Sequence, residues 1–149
     1  MRVVIQRVAS ASVTIDGQVK SSIGKGLMIL LGVGHEDEKA DADYLAKKIA
    51  ALRVFDDADG VMNLSVKDIS GELLVVSQFT LMASTRKGNR PSYIAAAGHE
   101  KAIPMYEYFC DILSENTGLK VQTGEFGADM KVELINDGPV TICMDSKNI

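Results

Sequence analysis

Three short segments of this 149-residue chain carry side chains whose types and spacing could do chemistry. The first is Ser77-Gln78-Phe79-Thr80-Leu81, the polar end of an apolar run that starts at Leu73. Buried hydroxyl and amide groups need partners, and a strand end beside a basic loop is a common place for a site. In an extended strand, Gln78 and Thr80 share one face, and Ser77, Phe79 and Leu81 share the other. The plain alternative is a strand end whose hydroxyls bond to nearby backbone. Thr80 is a nucleophile on paper, yet no His, Cys or paired carboxylate stands beside it in sequence to take its proton.

The second segment is Asn136-Asp137-Gly138-Pro139-Val140-Thr141. Gly-Pro between two strands reads as ordinary turn chemistry. The other reading is a cis peptide, found in about 5–6% of X-Pro bonds. Such a bond aims its carbonyl oxygens where a trans bond does not, and the glycine adds no side chain. The third segment is the loop Thr85–Arg90. Its Arg86, Lys87 and Arg90 make a small anion site on an otherwise acidic chain, on the scale of two or three phosphates. A solvated loop is the alternative.

Other candidates carry less. His35 and His99 are far apart in sequence, without a ligand-spaced neighbour, and both read as solvated loop histidines. Asp56-Asp57-Ala58-Asp59-Gly60 opens like a calcium loop but lacks the closing Glu, so it reads as an acidic turn. No metal site and no cofactor are expected. Cys110 and Cys143 form no Cys-x-x-Cys and read as reduced, buried thiols in a cytosolic protein.

The elements that must position these residues follow from periodicity. Met1–Ala9 alternates as a strand, and Ser12–Ile15 is a second one. Asp16-Gly17 is a tight turn, and Gln18–Ile23 returns as a hairpin. Leu27–Val33 and Leu73–Leu81 are apolar on both faces, as central strands covered on two sides are. Helical spacing runs from Lys39 to Val54 and again through Ala102, Tyr106, Phe109, Cys110 and Leu113, ending before Gly118. Pro104 is expected within the first four residues of that second helix. Leu119–Thr123, Met130–Ile135 and Val140–Met144 close the chain as strands. This order predicts one α/β domain over 1–149, with mixed β-sheets and two main helices on one side.

Composition agrees. Apolar residues are 46% and charged residues 24%, which excludes a disordered chain. Sixteen basic residues against 20 acidic ones give a net charge of −4, which argues against wrapping a long phosphate backbone but leaves one end of a nucleic acid open. No apolar run approaches the ~18–20 residues of a membrane-spanning helix, so no membrane is expected. The chain opens directly on a strand pattern, so no signal peptide is expected and the location reads as cytoplasmic.

Taken together, Ser77-Gln78-Phe79-Thr80-Leu81 and Asn136-Asp137-Gly138-Pro139-Val140-Thr141 resemble the two signature motifs of the D-aminoacyl-tRNA deacylases. Arg2–Val8 and the run Gly124-Glu125-Phe126-Gly127-Ala128-Asp129-Met130 are similar to that family too, as is Arg90-Pro91-Ser92-Tyr93. The resemblance covers the whole chain. It implies a three-layer α/β fold and a homodimer with sites at the subunit interface. It also implies hydrolysis of the ester joining a D-amino acid, or mischarged glycine, to the terminal ribose of tRNA. In that scheme Ser77, Gln78, Phe79 and Thr80 form the catalytic segment. Backbone N–H groups near Phe79 and Thr80 hold the oxyanion, and the substrate's own 2′-hydroxyl helps activate water. Gly138 and Pro139, donated by the partner subunit, exclude L side chains, with Arg7 as their anchor. Phe126 and Met130 wall the adenine pocket, and Arg86, Lys87 and Arg90 meet phosphates of the acceptor end. Two other readings stay open on the residues: a non-catalytic tRNA-end-binding module, and a general esterase with Thr80 as nucleophile.

Overall fold

The computed structural model describes residues 1–148. The first alternating segment is one long strand, β1 (Arg2–Ile15), rather than two. Asp16 and Gly17, at φ 50° and 77°, turn the chain into β2 (Gln18–Ile23). The left-handed backbone needed there is why Asp-Gly occupies the turn. β2 and then β3 (Gly26–Gly32) follow one another antiparallel along one edge of β1. Helix α1 (Lys39–Ala51) comes next, then a small hairpin of β4 (Phe55–Asp56) and β5 (Met62–Leu64). β6 (Glu72–Ser77) lies parallel to β3. Helix α2 (His99–Thr117) ends at Gly118 in the left-handed region, and β7 (Val121–Thr123) joins β6 in parallel. β8 (Lys131–Asp145) runs antiparallel along the other edge of β1.

Strand alternation sorts the core into two faces. Leu27, Ile29, Leu31, Leu73 and Val75 point to the side covered by Leu45 and Ile49 of α1 and Phe109 and Leu113 of α2. Met28, Leu74 and Val76 point to the other side, against Val8, Ala11, Val13 and Ile23. Met130, Val132 and Leu134 pack against that second cluster. The sheet is thus buried on both faces, between the helices and the curled half formed by β1, β2 and β8. This is the expected three-layer α/β arrangement with both helices on one side.

Four further expectations change. The run from Leu73 leaves the sheet after Ser77. The segments around Asn136–Pro139 are one strand pairing with one edge of β1 rather than two joined by a reversing turn. Pro104 sits inside α2, beyond its first turn. There it removes a hydrogen bond to Glu100, and the burial of Ala102, Tyr106 and Phe109 on the same helix offsets the loss. Cys110 is buried as expected, but Cys143 is exposed on β8; both thiols are free.

The ends of the molecule are tied together beside α1. The Met1 ammonium donates to Asp37 Oδ1 at 2.6 Å and to Ser146 Oγ at 2.9 Å. Asp41 accepts from Ser146 Oγ at 2.6 Å and Lys147 Nζ at 3.1 Å. Burial by itself raises the Asp41 pKa. The bonds from Ser146, the Glu38 amide and Lys147 outweigh it and hold the carboxyl at about 2, below its ordinary 3.8.

Candidate active site

β6 stops pairing where its polar residues begin. Ser77 is the last residue opposite β3, and the Gln78 amide donates to Leu31 O at 2.8 Å. Gln78 then leaves the strand at φ −146°, ψ 82°, and Phe79–Met82 wind a single 3₁₀ turn. The turn lies across Gly32, where an added Cβ would come within 3.0 Å of both Gln78 O and Leu81 Cβ. Leu81 and Ala83 close the turn with bonds to Gln78 O and Thr80 O. The Phe79 and Thr80 amides, the first two of the turn, donate to no protein acceptor among the described residues. Gln78 Nε2 donates to Thr80 Oγ1 at 2.6 Å. The two side chains therefore meet because the chain turns, not because they alternate along a strand.

This turn borders a cavity of about 420 Å³. Ser77, Gln78 and Phe79 line it together with His99 and with Phe126–Met130 of the loop after β7. Phe126 makes edge contacts with His99 (centroids 5.3 Å apart) and with Tyr106 (6.2 Å). Tyr106 is fixed in turn, its hydroxyl donating to Val75 O at 2.6 Å. Burial pushes the Tyr106 phenol pKa up and the Cys110 thiol to about 12, so neither supplies an anion near neutral pH. Phe79 is 52% exposed and stacks edge-on with Tyr93 at 5.0 Å.

A second irregular segment lies further along β8. Asn136 pairs with Val8, and the next paired residue, Thr141, lies opposite Gln6. Asp137–Val140 are thus looped out opposite Arg7, which is almost fully buried. Arg7 Nε donates to Asp137 O at 2.9 Å, and Nη1 donates to Val54 O at 2.7 Å with Asp56 Oδ1 at 3.4 Å. Asn136 closes the loop from the other side, accepting from the Val140 amide at 2.9 Å and donating to Thr141 Oγ1 at 3.0 Å. The Gly138–Pro139 peptide is cis. Gly138 has φ 135°, and a Cβ there would meet Val140 Cγ2 at 2.8 Å and Arg7 Nη2 at 3.1 Å, so only glycine fits. Both Gly138 and Pro139 face outward.

The model of the family described as D-Tyr-tRNA(Tyr) deacylase matches residues 4–145, which takes in both segments. The chain belongs to that family. A D-aminoacyl-tRNA deacylase of Phocaeicola vulgatus is 66% identical over 148 residues, 99% of each chain. A solved structure of a c-Myc DNA Unwinding Element Binding Protein is 42% identical, with a TM-score of 0.92 over 97% of this chain and 98% of that one. A structure described as "a probable eukaryotic D-amino acid tRNA deacylase" shares the fold at 14% identity, with a TM-score of 0.80 over 96% of this chain and 97% of that one.

Within this family member, the residues singled out in the sequence fall into three groups. Ser77, Gln78, Phe79, Phe126 and Met130 line the one cavity, with Thr80 held behind Gln78. Gly138 and Pro139 belong to the looped-out segment and Arg7 grips it from β1; none of the three lines that cavity. From Val132 to Gly138 the strand covers roughly 20 Å at ~3.3 Å per residue. Arg86, Lys87 and Arg90 are exposed in the loop between Ser84 and Ser92, whose backbones bond to each other. His99 is the residue that sequence reasoning passed over. It is the first residue of α2 and a cavity wall, not a loop histidine. Its spacing of two helical turns from Tyr106 was the available signal. Among the acidic turn residues, Asp57 uses its carboxylate on the Asp59 and Val61 amides and on Asn63, which lowers its pKa.

Proposed function

We propose that this chain works as a D-aminoacyl-tRNA deacylase: it hydrolyses the ester between a D-amino acid and the terminal ribose of tRNA. The observation that carries the reading is the family match running through both segments, with the first of them opening its unpaired amides beside a cavity. The whole 149-residue chain acts as one catalytic domain.

The Phe79 and Thr80 amides bind the ester carbonyl oxygen as it takes negative charge. Fixed donors of this kind contribute about 2.7–4 kcal/mol each in other hydrolases. Water attacks the carbonyl carbon, the bond to the ribose oxygen breaks, and that oxygen leaves with a proton. The neighbouring 2′-hydroxyl of the ribose relays the proton. The scheme uses no metal or cofactor. Thr80 is a scaffold: its Oγ1 is taken up by the Gln78 amide group, with no base beside it. Phe126 and Met130 wall the pocket for the terminal adenine, and Arg86, Lys87 and Arg90 meet the phosphates before it.

Handedness is read by a second copy of the chain. Its Gly138–Pro139 loop enters the cavity and puts main-chain oxygens where an L side chain would go. Glycine, lacking a side chain, passes and is removed as well. The half-buried apolar row Val140, Ile142 and Met144 and the exposed Ile135 on β8 support pairing of two copies. Among the described residues no helix is long and apolar enough to cross a membrane, and the work is assigned to the cytoplasm, where charged tRNA is used.

The test is discharge of D- and L-charged tRNA at equal concentration, with Thr80→Val as the companion variant. Selective release of the D form, and a loss of less than about a hundredfold in the variant, is the expected result. Equal release of both forms would end the chiral reading. A loss beyond about ten-thousandfold in Thr80→Val would restore the covalent threonine, since removal of a true nucleophile costs on that order or more.

A further inference from the structure

We propose that His99 is a substrate-binding residue of this site, its imidazole forming, together with Phe126, the aromatic corner in which the terminal base of the tRNA is held. The inference rests on the deacylase reading of the cavity. It starts from one helix face. His99 and Tyr106 lie two turns apart on α2, so they project on the same side. Phe126 stands between them, edge to ring with each, at 5.3 Å from His99 and 6.2 Å from Tyr106.

The two jaws of this clamp are not alike. Tyr106 is buried and bonded to Val75 of β6, the strand that delivers Ser77 and Gln78. It does not line the 420 Å³ cavity. His99 is exposed and does line it, across from Gln78 and Phe79. Tyr106 therefore fixes Phe126 from behind, and the His99 ring, at 84° to that of Phe126, adds a second surface that meets it at a corner. Gly127, at φ 81°, turns the chain sharply after Phe126 and leaves the imidazole side open.

A purine needs a flat apolar surface for its rings and polar groups for its edge. Phe126 supplies the first. The imidazole supplies both, since its ring stacks while its nitrogens donate or accept. Stacking of a base on one ring is worth on the order of tenfold or more in affinity. Because the base is remote from the ester, this is binding shared by ground state and transition state, and its loss falls on KM rather than kcat.

The experiment measures steady-state release of D-amino acid from charged tRNA, and calorimetric binding of adenosine 5′-monophosphate as a mimic of the terminal nucleotide. In His99→Ala, KM should rise about tenfold with kcat within about twofold, and AMP affinity should fall in parallel. His99→Phe should restore most of both. His99 is exposed at the start of the helix, and matching melting temperatures establish that each variant is folded. An unchanged KM in His99→Ala, a fall in kcat alone, or a His99→Phe variant as weak as the alanine one would overturn the proposal. Wild-type protein that releases no D-amino acid would remove the deacylase reading by itself. The wall would then still be judged by AMP, and absent or equal binding by wild type and His99→Ala would overturn it.

Discussion

The two irregular segments of this molecule are built in opposite ways. The turn at Phe79–Met82 is held mostly by its own backbone and by the glycine beneath it, and it leaves two amides without partners among the described residues beside a cavity. The loop at Asp137–Val140 is gripped by a buried guanidinium and by Asn136, and it borders no part of that cavity. One segment has donors ready for a developing charge but nothing rigid enough to judge the shape of a side chain. The other has a fixed shape but nothing to react with. In the proposed scheme rate and selectivity are thereby housed at different places on one strand system, and the pairing of two copies is what brings them to one substrate. Variants in the two segments should fail in different measurements.

The largest effect belongs to the cavity. Charged tRNA whose terminal ribose carries hydrogen in place of the 2′-hydroxyl should be discharged about a hundred- to ten-thousandfold more slowly, the range of a lost proton-transfer partner. Single-turnover hydrolysis reads this directly, and an equal rate would move the proton relay to a protein group. Next is the loop. Arg7→Ala leaves the buried Val54 carbonyl and the part-buried Asp137 carbonyl without their donor, at about 1–3 kcal/mol of stability. It should raise discharge of L-aminoacyl-tRNA while the D rate stays within a few fold. Equal losses of both rates in folded protein would show that the two segments are not separable. Arg7→Lys should rescue little, because one ammonium does not reproduce a guanidinium donating in two directions.

A smaller effect is expected from the basic loop. Neutralising Arg86, Lys87 and Arg90 together should flatten the salt dependence of tRNA binding by about 2 in log–log slope, at roughly 0.7 per phosphate contact. An unchanged slope would return the loop to plain solvation. The smallest concerns Asp41, remote from both segments. Its folded pKa of about 2 lies below its ordinary 3.8. The folded state thus binds its proton less readily, and the associated stability is present above pH 4 and lost as pH falls from about 4 toward 2. In thermal melts, Asp41→Asn should be less stable than wild type at neutral pH and should lose less across that window.

Much of the scaffold was legible in the chain. The Asp-Gly turn, the doubly apolar strands at Leu27 and Leu73 and the two helical faces each follow from local periodicity, and the structure has them. What could not be read locally depended on distant partners. Ser77-Gln78-Phe79-Thr80 looks like continuing strand, but pairing with β3 ends at Leu31–Ser77, and the groove above Gly32, the last residue of β3, receives the turn. Asn136–Pro139 looks like a reversal, yet β1 keeps pairing on both sides of it. The preference of proline for helix starts places Pro104 in a first turn, whereas α2 begins five residues before it. His99 shares a helix face with Tyr106, but that spacing does not show a cavity, because the ring that joins them, Phe126, comes from a loop beyond the end of the same helix.

The amides of Phe79 and Thr80 have a lasting consequence for how such a site can vary. A main-chain donor belongs to every amino acid except one. Nineteen of the twenty residue types would leave each N–H in place, so inheritance can redecorate this turn widely while the proposed oxyanion donor persists. Proline alone erases it, and a proline at position 79 or 80 is the single-letter change from which the turn has no recourse.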